Sequence, residues 1–337
     1  MKITAPISRL EEIPLLLQAG ANELYCGIVP PDWVARFNTG AVNRRYFGNL
    51  PNYAALEQAV QTAHAGAGEL FLVLNAQHYG ENFHGALIDI ATRFQGMGGD
   101  AVIVADLPLI TALHDEVPDL AIHASSVANC RNSAAIALLR DLGVRRVILP
   151  RDVTLAEIER MARAAPDVEI EVFVLNDGCV FEEGLCHTVH LPSRLGGPIC
   201  VDSYAMNYQD PAGQPLSSRL LRRHAQNDAD YKRWLWYRFG CGFSTTEEGY
   251  PFGPCGLCAM QRMHQAGVTS VKVAGREGAT ERKIKSVEMV RQVLDGINQG
   301  ADEGSAAALA VSIRKVPGHC ASGYMCYYPE VRWTGPE

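Results

Sequence analysis

The stretch Glu171-Val-Phe-Val-Leu-Asn-Asp-Gly-Cys179-Val-Phe-Glu-Glu-Gly-Leu-Cys186 decides how the rest of the chain is read. It begins as a largely apolar run, Ile170–Leu175, of the kind that forms a strand covered on both faces. It stops abruptly at one cysteine and meets a second soon after. Seven other runs have the same character: Ile3–Ile7, Glu23–Ile28, Leu70–Asn75, Ala101–Asp106, Ala121–Ser125, Arg146–Pro150 and Ser270–Ala274. Amphipathic stretches separate them: Ser8–Ala19, Tyr53–Ala65, Ala86–Gln95, Leu107–Glu116, Asn132–Leu142, Leu155–Ala164, Cys258–Ala266 and Glu281–Asn298.

Eight strand–helix units predict an α/β fold, a (β/α)8 barrel of the TIM type. An open doubly wound sheet with a second domain is the alternative. Gly20, Gly66, Gly143 and Gly267 stand just past helices, where a left-handed cap favours glycine. Thr154 followed by Glu157 reads as a capping box. One connection breaks the rhythm. Roughly 80 residues separate the seventh candidate strand from its helix, and connections of that length are usually functional. In a barrel this insertion, 176–257, lies on the C-terminal face, where active sites are built. The expected organisation is a barrel over 1–298, including the insertion, and a tail over 299–337 packed on it.

The 337 residues are 47% hydrophobic and 20% charged, with a net charge of -7. That is an ordinary soluble composition, without the overall basic balance of a nucleic-acid coat. Met1-Lys-Ile-Thr-Ala-Pro6 is not followed by a long apolar stretch, and no apolar run approaches membrane length. The expectation is a cytoplasmic protein without a membrane span. Its ten cysteines then read as reduced thiols rather than a disulfide framework.

Cys179, Cys186, Cys200, Cys241 and Cys255 fall inside the insertion, and Cys258 at its exit. Four thiolates suit a [4Fe–4S] cluster, and Cys179, Cys186 and Cys200 with Cys255 or Cys258 supply them. Tetrahedral zinc could use the same set. Cys26 and Cys130 read as packing residues. Cys320 and Cys326 stay open as extra ligands, a redox pair or packing. His187 and His190 follow Cys186 and suit substrate binding or proton transfer. His123, Asp106 and Asp152 stand at strand ends, where barrels place chemistry, although an aspartate there can equally cap a helix. The cluster Arg219, Arg222, Arg223, Lys232, Arg233 and Arg238 is interleaved with Tyr231, Trp234, Trp236, Tyr237 and Phe239. It fits an RNA or anionic substrate, or equally an amphipathic helix with a solvated basic face. HExxH, GxSxG and Walker A motifs are absent. Gly96-Met-Gly-Gly-Asp-Ala101 precedes a strand instead of following one, so it is no dinucleotide signal.

The residues Glu171, Phe173, Cys179, Gly184 and Cys186 resemble the signature of the collagenase-like peptidase family U32. The similarity continues through Asp100–Asp106, His123–Ser126, Arg146–Arg151, Gly256–Cys258 and Ala266–Arg276, covering about residues 1–298. The resemblance implies a barrel. It also implies kinship with iron–sulfur proteins of oxygen-independent hydroxylation, in ubiquinone synthesis or on tRNA and ribosomal RNA, some linked to prephenate as oxygen donor. The family's cluster ligands correspond to Cys179, Cys186, Cys200 and Cys258, with Cys255 an alternative fourth. Under this reading His123, His187 and Asp152 are catalytic candidates, and Arg151, Lys272, Arg276 and Asn75 bind substrate, a small molecule or RNA. The family's His-Gly is Leu175-Asn176 here, and its Lys-Ile-Glu-Gly-Arg is Lys272-Val-Ala274-Gly-Arg276. Two rivals remain: a metal-dependent peptidase, and a non-catalytic iron–sulfur subunit paired with a U32 paralogue.

Overall fold

The structure, a computed structural model, describes all residues except 38–41, 46, 180–182, 186–206, 236–244, 252, 324 and 333–337, and the side chains of 183 and 233–235. Nine strands are found among the described residues: β1 Lys2–Pro6, β2 Glu23–Ile28, β3 Asn49–Leu50, β4 Glu69–Leu74, β5 Ala101–Val104, β6 Ala121–Ala124, β7 Val144–Ile148, β8 Glu169–Leu175 and β9 Ser270–Val273. All pairings between them are parallel. β1 pairs with β9 on one side and with β2 on the other, which closes eight strands into a barrel. That double pairing removes the open-sheet alternative. The eight strands read from the sequence are these eight, with ends shifted by a residue or two. The two-residue β3 lies outside the ring, on the end of β2.

The helices are α1 Glu12–Gln18, α2 Pro31–Phe37, α3 Tyr53–Ala65, α4 Glu81–Gly96, α5 Leu107–Glu116, α6 Ser133–Asp141, α7 Leu155–Ala164, α8 Ser218–Leu235 within the insertion, α9 Met260–Gln265 and α10 Thr280–Asn298. Local chemistry sets their starts. The side chains of Asn52, Asp106 and Asn132 each accept the backbone N–H three residues on. Thr154 and Glu157 form the expected reciprocal box at α7. One cap reading is corrected: Gly66 has φ -93, and the left-handed residue is Ala67. Gly66 is small for a steric reason instead, since a Cβ there would stand 2.5 Å from Leu17 Cδ1. The tail is helical: α11 Glu303–Arg314 and α12 Pro317–Ser322 return toward β8. There, Tyr328 donates to the Phe173 carbonyl and Tyr327 to the Asn176 carbonyl.

The barrel interior is charged. Arg146 on β7 is fully enclosed and donates to Glu23 on β2 at 2.7 and 2.8 Å and to Glu171 on β8 at 2.9 Å. It also pairs with the half-buried Glu169. Glu171 holds Lys272 on β9 as well. Thr4 and Ser270 donate to Glu23 and complete the layer. Burial alone would raise the Glu23 carboxyl. Hydrogen bonds from Arg146, and its charge, overcome this and hold Glu23 well below the usual carboxylate range.

The unfolded chain therefore takes up this proton at a higher pH than the folded one does. Stability from this group is complete above about pH 4.5 and is lost as pH falls below it. Thermal melts between pH 7 and pH 3 should show a falling Tm that is markedly flatter in Glu23→Gln. Equal slopes would assign the acid sensitivity elsewhere.

Candidate active site

The strand C-termini form a polar mouth. Arg276, three residues past β9, is buried and donates to Asn43 at 2.7 Å and Asn49 at 3.1 Å. Its passage requires Gly27 on β2, where a Cβ would lie 2.0 Å from Arg276 Nη1. Burial lowers the Arg276 guanidinium from its ordinary value. Arg45 reaches across to Asp177 and Glu277, both at 3.3 Å. Arg151, past β7, lies over the Phe173 ring at 3.7 Å. Asn75, past β4, donates to Ser125 at 3.1 Å and accepts the Arg44 N–H. Lys272 lies deeper, pinned between Glu171 and the Tyr25 ring; burial lowers its ammonium despite the support of Glu171.

The thiol-bearing insertion starts over this mouth. Asn176 and Asp177 leave β8 with φ +67 and +47. Asn176 tolerates a left-handed backbone better than most residues, which suits a position where the family has glycine. Its buried side chain is fixed by Arg282 and Ser286 on α10. Cys179 follows, half-buried. Gln77 then donates to the Gly184 carbonyl at 2.9 Å. The turn Glu183–Leu185 packs on the turn Ser126–Ala128 past β6. Cys186, His187, His190, Cys200 and Cys241 lie outside the described residues.

Two of the catalytic candidates, His123 and Asp152, lie among the described residues. His123 does not present itself at the mouth. It points into the barrel, edge-on to Phe71 at 4.7 Å, and burial with the nearby Arg146 charge holds its imidazole neutral. Asp152 is an exposed partner of Arg131 at 2.7 and 2.8 Å. Asp106 caps α5, accepting from Leu109, and accepts the Tyr79 N–H. Arg151, Arg276 and Asn75 do share the mouth; Lys272 belongs to the charged interior. Cys26 and Cys130 are packing residues, their thiols pushed up to about 12 by burial. Sequence reading missed Asn43, Arg45 and Asn49. They come from an irregular segment without periodicity, and only the polar run Asn43-Arg-Arg45 marked it.

A sequence profile of peptidase family U32 matches residues 8–335. The chain belongs to that family. Tested against characterised proteins, this U32 chain is 28% identical over 185 residues to tRNA hydroxylation protein P of Escherichia coli (strain K12), covering 55% of the chain and 38% of that protein. It is 22% identical over 307 residues to tRNA hydroxylation protein P2 of Bacillus subtilis (strain 168), covering 89% and 87%. It is 29% identical over 171 residues to the 23S rRNA 5-hydroxycytidine C2501 synthase of Escherichia coli, covering 51% and 24%. The matched region spans about two fifths of the length of tRNA hydroxylation protein P in Escherichia coli and in Haemophilus influenzae. Among solved structures, the U32 peptidase Mk0906 is similar at 15% identity and a TM-score of 0.43, covering 65% of this chain and 90% of that one.

Proposed function

We propose that this U32 protein is an iron–sulfur enzyme that hydroxylates RNA without molecular oxygen. The observation that carries the reading is that the thiol-bearing insertion starts at the mouth, where Arg45 holds Asp177, two residues before Cys179. The hydroxylation named in its tRNA and rRNA relatives supports the substrate class. Cys179, Cys186 and Cys200 would hold a [4Fe–4S] cluster, with a fourth thiolate that the family resemblance assigns to Cys258. Soft thiolate donors fit that group, and when bound it supplies one-electron transfer at the mouth. His187 remains the candidate for moving a proton there.

Arg151 and Arg45 suit an anionic oxygen donor such as prephenate, or the phosphates of the RNA. Arg151 is stacked on Phe173, which pre-orients its guanidinium for a carboxylate or phosphate. Arg151→Ala should raise KM about tenfold, the equivalent of ~1.4 kcal/mol of lost binding, with little change in kcat. Equal loss in kcat and kcat/KM would move Arg151 into the chemical step instead.

The decisive test is nucleoside mass spectrometry of tRNA and ribosomal RNA from cells lacking the gene and from complemented cells. A hydroxylated nucleoside should vanish, return with the wild-type gene and stay absent with Cys179→Ala. Unchanged RNA in the deletion overturns the reading. Bacillus subtilis holds two of the similar proteins, P1 and P2, which supports a paired arrangement; activity appearing only on adding a U32 paralogue would establish it.

A further inference from the structure

α8 leaves a compact turn. Gln209 and Pro215 are bridged, and the Asp210 side chain accepts the Ala212 and Gln214 N–H groups at 2.9 and 2.8 Å. The Ser217 carbonyl then accepts the Leu221 N–H, and the Tyr208 ring stacks on His224 with centroids 4.3 Å apart. From Ser218 to Lys232 no residue of α8 is buried. The helix therefore has no core face, and its composition answers to what it meets at the surface.

A turn of 3.6 residues sorts α8 into two faces. Leu220, His224 and Tyr231 share one, with Leu221 on its flank. Arg219, Arg222, Arg223 and Gln226 share the other. Leu220, Leu221 and Tyr231 are each more than half covered, whereas the three arginines are exposed.

That arginine face works against the helix. All three cations lie in its first two turns, where the positive end of the helix dipole disfavours them, and the first turn holds no acid. Arg219 is three and four residues from Arg222 and Arg223, the spacings at which like charges repel. Among the described residues no carboxylate pairs with any of the three, and Asp228 is taken by Lys232 at 2.8 Å. A helix selected for stability alone would carry acids here. A local rule broken without compensation points to a functional surface. The rest of the chain sharpens the contrast: its net charge is -7, so three guanidiniums within about 6 Å of helix rise form a local exception to a field that repels polyanions.

We propose that the Arg219, Arg222 and Arg223 face of α8 docks the phosphate backbone of RNA. The identity of the polyanion rests on the RNA-hydroxylase reading, and the insertion gains a second task besides bringing thiols to the mouth. Guanidiniums fork onto phosphate oxygens. Such contacts hold and orient a nucleic acid without reading its sequence, so α8 is an anchoring surface and takes no part in the chemical step. An anionic membrane fits less well. Seating a helix in a lipid interface needs its apolar face free, and here that face is mostly covered.

The test is fluorescence anisotropy of a labelled, unmodified tRNA transcript with full-length protein purified without oxygen, across a salt series. Each of Arg219→Gln, Arg222→Gln and Arg223→Gln should flatten the dependence of log Kd on log salt by about one unit. The triple change Arg219→Glu, Arg222→Glu and Arg223→Glu should weaken binding about a hundredfold at 0.1 M salt. The triple change to Lys should keep most of the affinity, since the charge remains. Acids suit the first turns of a helix, so the Glu variant should keep the wild-type Tm, and the single Gln variants report independently of it.

Wild-type affinity and salt dependence in the triple Glu variant overturn the docking face and leave the hydroxylase reading standing. Lost tRNA binding in that variant, with cellular RNA nucleosides unchanged in the gene deletion, keeps the face and overturns the hydroxylase reading. A wild-type protein that ignores tRNA but binds phosphatidylserine vesicles through the same arginines overturns RNA as the occupant.

Discussion

Arg146→Leu is expected to abolish the folded barrel. The guanidinium satisfies Glu23 and Glu171, both fully enclosed, and pairs with Glu169. Lys272 reaches Glu171, and the half-exposed Lys2 reaches Glu23 from the rim. Removing Arg146 leaves Glu23 without a buried counter-charge and Glu171 with one partner fewer. Breaking a buried pair from one side costs about 3–5 kcal/mol, against a total domain stability of about 5–15 kcal/mol. The variant should be insoluble, or should melt far below wild type by circular dichroism. Replacing the group as a whole (Arg146→Leu with Glu23→Leu and Glu171→Met) should recover much of the loss. The single change would then have failed through orphaned carboxylates rather than through a missing side-chain volume. A single variant that melts within a few degrees of wild type would refute the network's role.

Gly27→Ala should be the most damaging change of a single methyl group. The added carbon would lie 2.0 Å from Arg276 Nη1, 2.1 Å from Asn49 Oδ1 and 2.8 Å from Asn43 Nδ2. A flexible arginine on a surface would step aside. Here the guanidinium is buried and tied to both asparagines, so the strain passes into β2 and β3. Overpacking of this kind costs about 1–3 kcal/mol. The double variant Gly27→Ala with Arg276→Ala should be more stable than the sum of its parts, a coupling that urea titration of the four proteins reads directly. Strict additivity would show that the two residues do not share the space.

The barrel was legible because parallel strands, enclosed on both faces, write themselves as short apolar runs, and because caps such as Thr154–Glu157 are local. The helices α3, α5 and α7 were placed to the residue for that reason. The mouth was legible only in part. Arg151, Asn75 and Arg276 follow strands and inherit their position, whereas Arg45, Asn43 and Asn49 come from a segment whose shape is set by Arg276, far away in sequence. His123 was read at the mouth; it lies next to the end of β6 and packs inward on Phe71, because depth along the strand, which an apolar run alone does not fix, decides whether an inward side chain reaches the mouth. The pairing of Cys255 with Cys326 depends on a backbone bridge between segments separated by the four helices α9 to α12, which no spacing rule contains. Gly66 was assigned a backbone role when its constraint was the side chain of Leu17.

The closure of β1 against β9 also has a consequence for how the chain is born. Synthesis runs from the N-terminal side, so Glu23 leaves the ribosome long before Arg146 can reach it, and Thr4 waits for Ser270 until the last strand of the barrel is made. A nascent barrel that is missing its last strand exposes both edges of its sheet and an acidic interior that holds Arg146 but not yet Lys272. Such partly built parallel sheets are slow to complete and prone to stick to one another. The early strands therefore stay open until Lys272 has emerged, and slowing translation before Ser270 should lower the yield of soluble protein more than slowing it after α10.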